Sequence, residues 1–202
     1  MLVIGLTGSI GMGKTTTANL FRDEGVAVLD SDKVVHDLYK EEAAPLIETA
    51  FPGTVGSNGV DRVRLAEILK VNPANFKVLE NIVHPLVQSR QREFLQASEN
   101  EGRQFALLDI PLLFETGAEN RVNTVVVVTC DPEIQRERVL SRPSMTPEKF
   151  EMILARQMPD DEKRRRADFV IDTGHGIEAA RDRVREILKD LARDRDTGEK
   201  DA

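Results

Sequence analysis

The short apolar run Leu2-Val3-Ile4-Gly5-Leu6 gives way to Gly8-Ser9-Ile10-Gly11-Met12-Gly13-Lys14-Thr15, and a helix-like stretch follows over residues 14–24, closed by Gly25. The spacing Gly-x-x-x-x-Gly-Lys-Thr is that of a phosphate-binding loop, and it sits between strand and helix, where such a loop belongs. Glycines are required because the backbone must wrap an anion closely enough for its N–H groups to point inward. The helix that begins at Lys14 adds the positive end of its dipole at the same place. Gly8, Gly11, Met12, Gly13, Lys14, Thr15 and Thr16 form the expected nucleotide-binding set. Lys14 is expected to reach the β- and γ-phosphates, and the Thr15 hydroxyl to hold Mg²⁺. These parts point to the phosphates of a nucleotide co-substrate, with Mg²⁺ as cofactor.

Further apolar runs lie at residues 26–29, 105–108, 125–128 and 169–171, most of them ending at or near an aspartate. They are nearly continuous rather than alternating, which suits parallel strands covered by helices on both faces. The expectation is an α/β fold with a five-stranded parallel sheet, whose carboxyl edge lines the ligand crevice. Residues 34–102 contain no convincing strand and read as helices at 43–50, 62–69, 75–83 and 86–97, a helical insertion with a break at His84-Pro85. A second helical excursion occupies 145–166. Ile177, Ala180, Val184, Ile187, Leu188 and Leu191 then mark one buried helix face, and residues 193–202 carry too little apolar content to pack.

The chain of 202 residues suits one domain with a small inserted subdomain. A formal charge of −7 opposes broad binding to nucleic acid or to an anionic membrane. Lys and Arg interrupt every later apolar run, so no membrane span is expected. The single Cys130 has no internal partner, which favours a reducing compartment, the cytoplasm.

Asp30-Ser31-Asp32 follows the second strand. A carboxylate there suits the orientation and deprotonation of an attacking hydroxyl. Capping of the helix over 33–39 by Asp30 or Ser31 is the competing role, and spacing does not choose between them. Asp109 follows an apolar strand as a Mg²⁺-holding aspartate does, but Asp131 and Asp172 share that pattern, and Asp131-Pro132 reads as a helix start. Arg136, Arg138, Arg142 and Arg156 are candidates for closing over phosphate charge, or simply parts of solvated helix faces. By spacing alone His84 is a packed structural histidine, and neither His36 nor His175 has partners at metal-ligand spacing.

Taken together, residues 4–15, Val28-Leu29-Asp30-Ser31-Asp32, Asn58-Gly59-Val60-Asp61-Arg62, Ile82-Val83-His84-Pro85-Leu86 and Leu108-Asp109-Ile110-Pro111-Leu112-Leu113-Phe114-Glu115 resemble the dephospho-coenzyme A kinase family, in the nucleoside-monophosphate-kinase-like class of P-loop proteins. The likeness continues through Arg138 to Arg142, Arg156-Gln157 and Val170-Ile171-Asp172, and covers residues 2–190. The resemblance implies a three-layer P-loop kinase fold with a core at about 1–33, 103–141 and 167–192, a substrate-binding subdomain at 34–102, a lid at 142–166 and a frayed tail at 193–202. It implies transfer of the ATP γ-phosphate to the ribose 3′-hydroxyl of dephospho-CoA by a monomer or weak homo-oligomer. It makes Asp32 the catalytic base beside Lys14, makes Arg142 a lid arginine over the phosphates, and gives Asp32, Arg62 and His84 acceptor-side roles. Thr15-Thr16 stands where Ser-Thr is usual, and Thr173 where asparagine is common near the adenine.

Two other functions remain open on the residues. One is a P-loop kinase for another alcohol, such as a nucleoside, a nucleotide or a shikimate-like acceptor. The other is a GTPase-type switch, which requires an Asn-Lys-x-Asp segment after a late strand. Thr129-Cys130-Asp131-Pro132 occupies that region instead.

Overall fold

The computed structural model describes residues 1–198, with side chains through residue 193. It separates into two compact units, residues 29–101 and the remainder of the chain.

The larger unit is built on strands β1 (Leu2–Thr7), β2 (Ala27–Asp30), β5 (Phe105–Asp109), β6 (Thr124–Thr129) and β7 (Phe169–Asp172); the boundary between the units falls inside β2. Their order is β2-β5-β1-β6-β7. β1 runs parallel to both β5 and β6, and β6 parallel to β7. The five apolar runs therefore all become strands of one sheet, as their composition requires. Ile4, Leu6, Leu107, Val126, Val128 and Ile171 are almost fully buried, against Ala18, Leu20 and Phe21 of α1 (Lys14–Asp23) and Ala180, Val184, Ile187 and Leu191 of α9 (Ile177–Gly198). Two expectations for α9 change. Ile177 is 58% exposed rather than part of the buried face. The helix also continues to Gly198, beyond the last apolar position, while the rest of the expected frayed tail, 199–202, lies outside the described residues.

α6 (Pro132–Leu140), α7 (Pro147–Leu154) and α8 (Asp160–Arg166) connect β6 to β7. Asp131 caps α6 by accepting the Glu133 N–H at 2.8 Å, with Pro132 at the first helical position, so this Asp-Pro pair is a helix start. Among the described residues no helix is long and apolar enough to cross a membrane.

In the smaller unit, α2 (Ser31–Leu38), α3 (Ala43–Ala50), α4 (Arg62–Val71) and α5 (Ala74–Asn100) close on Leu38, Ala43, Ile47, Phe51, Leu65, Leu69 and Val83. Where two helices interrupted at His84-Pro85 are expected, α5 runs through both, with Pro85 inside it. A mid-helix proline forfeits one hydrogen bond and crowds the preceding turn. Here Leu79, Ile82, Val83, Leu86 and Val87 on both sides of it pack on the same core, and that burial holds the helix together across the defect.

A second departure is a small antiparallel hairpin, β3 (Val55–Gly56) with β4 (Gly59–Val60), in a region expected to lack strands. Only Ser57 and Asn58 separate its strands, and strands of two residues are too short to register as a strand pattern. Gly59 has φ +92°, and a Cβ there would lie 2.5 Å from the Tyr39 carbonyl oxygen, so only glycine fits. Glu48 braces the approach to the hairpin by accepting the N–H groups of Gly53, Thr54 and Val55 at 2.8, 3.1 and 2.9 Å. The three donors hold its carboxyl below the ordinary glutamate range. A depressed carboxyl contributes stability above its unfolded pKa and loses it as pH falls through the folded value. Glu48→Gln is therefore expected to remove part of the acid-side fall in stability, so that urea midpoints measured from pH 7 to pH 3 decline less steeply than in the parent.

Candidate active site

The larger unit carries an anion cradle. The chain leaves β1 at Thr7, passes through residues 8–13 and enters α1 at Lys14. Gly8 is obligatory because a Cβ would fall 2.3 Å from Val128 Cγ2 and 2.8 Å from the Val128 carbonyl oxygen. Gly13 stands at the N-cap of α1 with φ +88° and offers no capping side chain, and the first turn has no acidic residue. The first N–H groups of α1 are thus left for an external anion.

The loop is tied down by groups remote in sequence. The Ile10 N–H donates to Gln157 Oε1 at 3.0 Å, and the Ile10 carbonyl accepts from Gln135 Nε2 at 2.7 Å. The Thr173 hydroxyl lies 2.9 Å from the Met12 carbonyl and 3.2 Å from that of Thr129. Arg138 donates to the Thr173 hydroxyl and carbonyl at 2.9 and 2.8 Å. The Thr173 side chain is consumed in bracing the loop and orienting Arg138. Beneath the loop, Cys130 is buried against Met12, and burial pushes its thiol pKa up, the opposite of what a reactive thiolate needs.

Lys14 forms an ion pair with Asp109 Oδ1. Asp109 is only 3% exposed at the end of β5, whereas Thr15 is exposed at the start of α1. A hydroxyl and a carboxylate are hard oxygen donors of the kind Mg²⁺ takes together with phosphate oxygens. An open cavity of about 380 Å³ adjoins the loop, lined by Gly11, Gly13, Thr16, Arg138, Arg142, Thr173 and Ile177 among others. The structure thus brings the expected Arg142 to the same cavity as the loop glycines, and Ile177 is exposed because it forms part of that cavity's wall.

The smaller unit carries a separate cleft of about 530 Å³ lined by Asp32, Val35, Tyr39, Arg62, Leu65, Ala66, Leu69 and Leu79. The two aspartates after β2 divide their tasks. Asp30 caps α2 by accepting the Lys33 N–H at 3.1 Å, while Asp32, in the first helical turn, is exposed to the cleft. The Asn58-to-Arg62 segment also acquires a physical meaning. The hairpin turn leads into Asp61, which caps α4 through the N–H groups of Val63 and Arg64 at 3.0 and 3.1 Å, so that Arg62 occupies the first helical position. Its guanidinium lies 5.2 Å from the centre of the Tyr39 ring and 3.3 Å from His36 Nδ1. Burial raises the Tyr39 phenol pKa, with Arg62 opposing it, so the hydroxyl stays protonated. His84 is an exposed residue of α5 and does not line this cleft.

Tyr39, Gln135 and Gln157 had no role in the reading of spacing, and Arg138 was one arginine among several. Only their three-dimensional partners distinguish them. The available hints were that Tyr39 is the chain's lone tyrosine and that Arg138 and Gln157 lie in stretches carrying the family likeness.

The chain is similar to known proteins over nearly its whole length. A family model described as dephospho-CoA kinase matches residues 2–178. A dephospho-CoA kinase of Agrobacterium fabrum is 71% identical over 191 residues, covering 95% of this chain and 98% of its own length. A crystal structure from Thermus thermophilus superposes with a TM-score of 0.84 at 34% identity, over 94% of this chain and 97% of that one. The dephospho-CoA kinase of Campylobacter jejuni gives a TM-score of 0.71 at 25% identity, over 96% and 98% of the two chains.

Proposed function

The chain belongs to the dephospho-CoA kinase family, and we propose that it transfers the γ-phosphate of ATP to the ribose 3′-hydroxyl of dephospho-CoA, giving CoA and ADP, the last step of coenzyme A synthesis. The observation that carries this reading is the family match across residues 2–178, which includes both the cradle at the head of α1 and the cleft bearing Asp32 and Arg62.

Phosphoryl transfer asks a protein for positioning and charge neutralisation more than for covalent chemistry. The loop N–H groups and Lys14 hold the triphosphate, and Lys14 exchanges its Asp109 partner for phosphate oxygens. Thr15 and Asp109 are the residues that would hold Mg²⁺, which supplies neutralisation of the β- and γ-oxygens when bound. Asp32 orients the acceptor hydroxyl and takes its proton as the new O–P bond forms and the bond from the γ-phosphorus to the β,γ-bridging oxygen breaks. Arg142 offsets charge on the transferring group. Arg62, in the cleft that bears Asp32, and His84, on α5, contribute on the acceptor side. Of the lid expected at residues 142–166, the stretch before Gln157 closes over the donor, since Gln157 and Lys163 are anchored to Ile10 and Glu115. The work takes place in the cytoplasm, where the buried thiol stays reduced, in a monomer or weak homo-oligomer with no nucleic-acid or membrane partner.

A coupled ADP-release assay tests the assignment, with dephospho-CoA run beside nucleosides, nucleoside monophosphates and shikimate. Acceleration by dephospho-CoA alone supports it. ADP release stimulated by another alcohol, with none from dephospho-CoA, would leave a P-loop kinase of different specificity.

A further inference from the structure

We propose that Gln157 is a positioning residue for phosphoryl transfer, holding the phosphate loop in its binding shape, and that Glu115 and Lys163 fix Gln157 in place for that task. The proposal rests on the reading of residues 8–15 as the ATP cradle and not on the identity of the acceptor.

Both polar groups of the Ile10 unit are engaged by side chains, its N–H by Gln157 and its carbonyl by Gln135. Ile10 immediately precedes Gly11, where the backbone is most permissive and φ is +82°. Fixing Ile10 therefore sets the direction in which the following amides leave it. Hydrogen-bond donors aimed before the anion arrives need no reorganisation during reaction, the condition under which they act most strongly.

Gln157 is itself held. It lies in the turn before α8, and the next residue, Met158, donates its N–H to Glu115 Oε1 at 2.8 Å. The same carboxylate oxygen lies 3.0 Å from Lys163 Nζ, and the Lys163 side chain is fully buried. Two residues beyond Met158, Asp160 accepts the Thr129 hydroxyl at 2.7 Å, tying the start of α8 to the end of β6. A buried lysine–carboxylate pair is a poor stabiliser, because desolvation consumes most of the Coulombic gain, and its better-attested use is to specify an arrangement. Here it holds the turn that presents Gln157 to Ile10. This gives the glutamate of Pro111-Leu112-Leu113-Phe114-Glu115 a task that spacing did not reveal. A neutral amide suits the position, since a carboxylate beside the cradle would repel the triphosphate.

The test uses the full chain with Gln157→Met, similar in length but without a comparable acceptor, and Gln157→Glu, which keeps an acceptor and adds charge. In nucleotide-free protein, hydrogen exchange at the Ile10 amide is expected to accelerate about tenfold in the Met variant and to stay near the parent in the Glu variant. The equilibrium Kd for ATP, measured without acceptor, is expected to rise about tenfold in the Met variant, with the KM for dephospho-CoA changed less than about twofold. A purely structural role would lower the melting temperature without this division between ATP and acceptor. Parental exchange at Ile10 and parental ATP affinity in Gln157→Met would overturn the proposal. If that variant does not fold, Gln157→Asn, one methylene too short to span the contact, carries the same expectations. Exchange and ATP affinity need no turnover, so failure of the acceptor assignment leaves these outcomes readable.

Discussion

Asp32→Asn is expected to lower kcat about 10²- to 10⁴-fold, the usual loss when a general base is removed, while the KM for ATP and the melting temperature stay near those of the parent. Asparagine keeps the shape of the side chain and removes its basicity. The fold has little reason to respond, because Asp30 caps α2 and Asp32 is exposed to the cleft. Asp30→Ala is the matching control, expected to lose about 1 kcal/mol of stability through the missing cap. Steady-state kinetics and urea denaturation of the two variants separate the roles. Near-parental kcat in Asp32→Asn would remove it as proton acceptor.

Lys14→Met is expected to have the largest combined effect, a fall of about 10²- to 10³-fold in kcat/KM for ATP from the lost charge at the phosphates. The nucleotide-free protein is also expected to lose stability, because the Asp109 carboxylate at the end of β5 loses the lysine that faces it. The Lys14 and Asp109 side chains are only 16% and 4% exposed, so water replaces little of the lost interaction. A double variant, Lys14→Met with Asp109→Asn, distinguishes the two losses. It is expected to regain most of the stability and none of the activity. If denaturation midpoints fall equally in the single and double variants, the ion pair is not the source of the instability.

The local motifs were readable in advance because their chemistry is local. Gly8, Gly13 and Lys14 stand within one turn of chain, and the five apolar runs could satisfy their composition only as buried strands. Capping was legible as a role but not as an assignment, since Asp30, Ser31 and Asp32 all suit a helix start and only the backbone path selects Asp30. Pro85 misled because helix-breaking is a property of the residue, whereas continuation of α5 depends on the core packed on both sides of it. The Val55-to-Val60 hairpin was hidden by its brevity, with two residues in each strand.

Lys14, the loop glycines and the order of apolar segments made a phosphate-binding α/β protein the outcome before any contact was known, because backbone sterics and burial act on neighbours along the chain. The family likeness then named the acceptor. The choice of Asp30 as cap, the meeting of Tyr39 with Arg62, and the grip of Gln157 on Ile10 across 147 residues depended on folding. Such pairs leave no periodicity to read. They are selected by packing distant segments together, where each buried polar group must find a partner or bear the cost of desolvation.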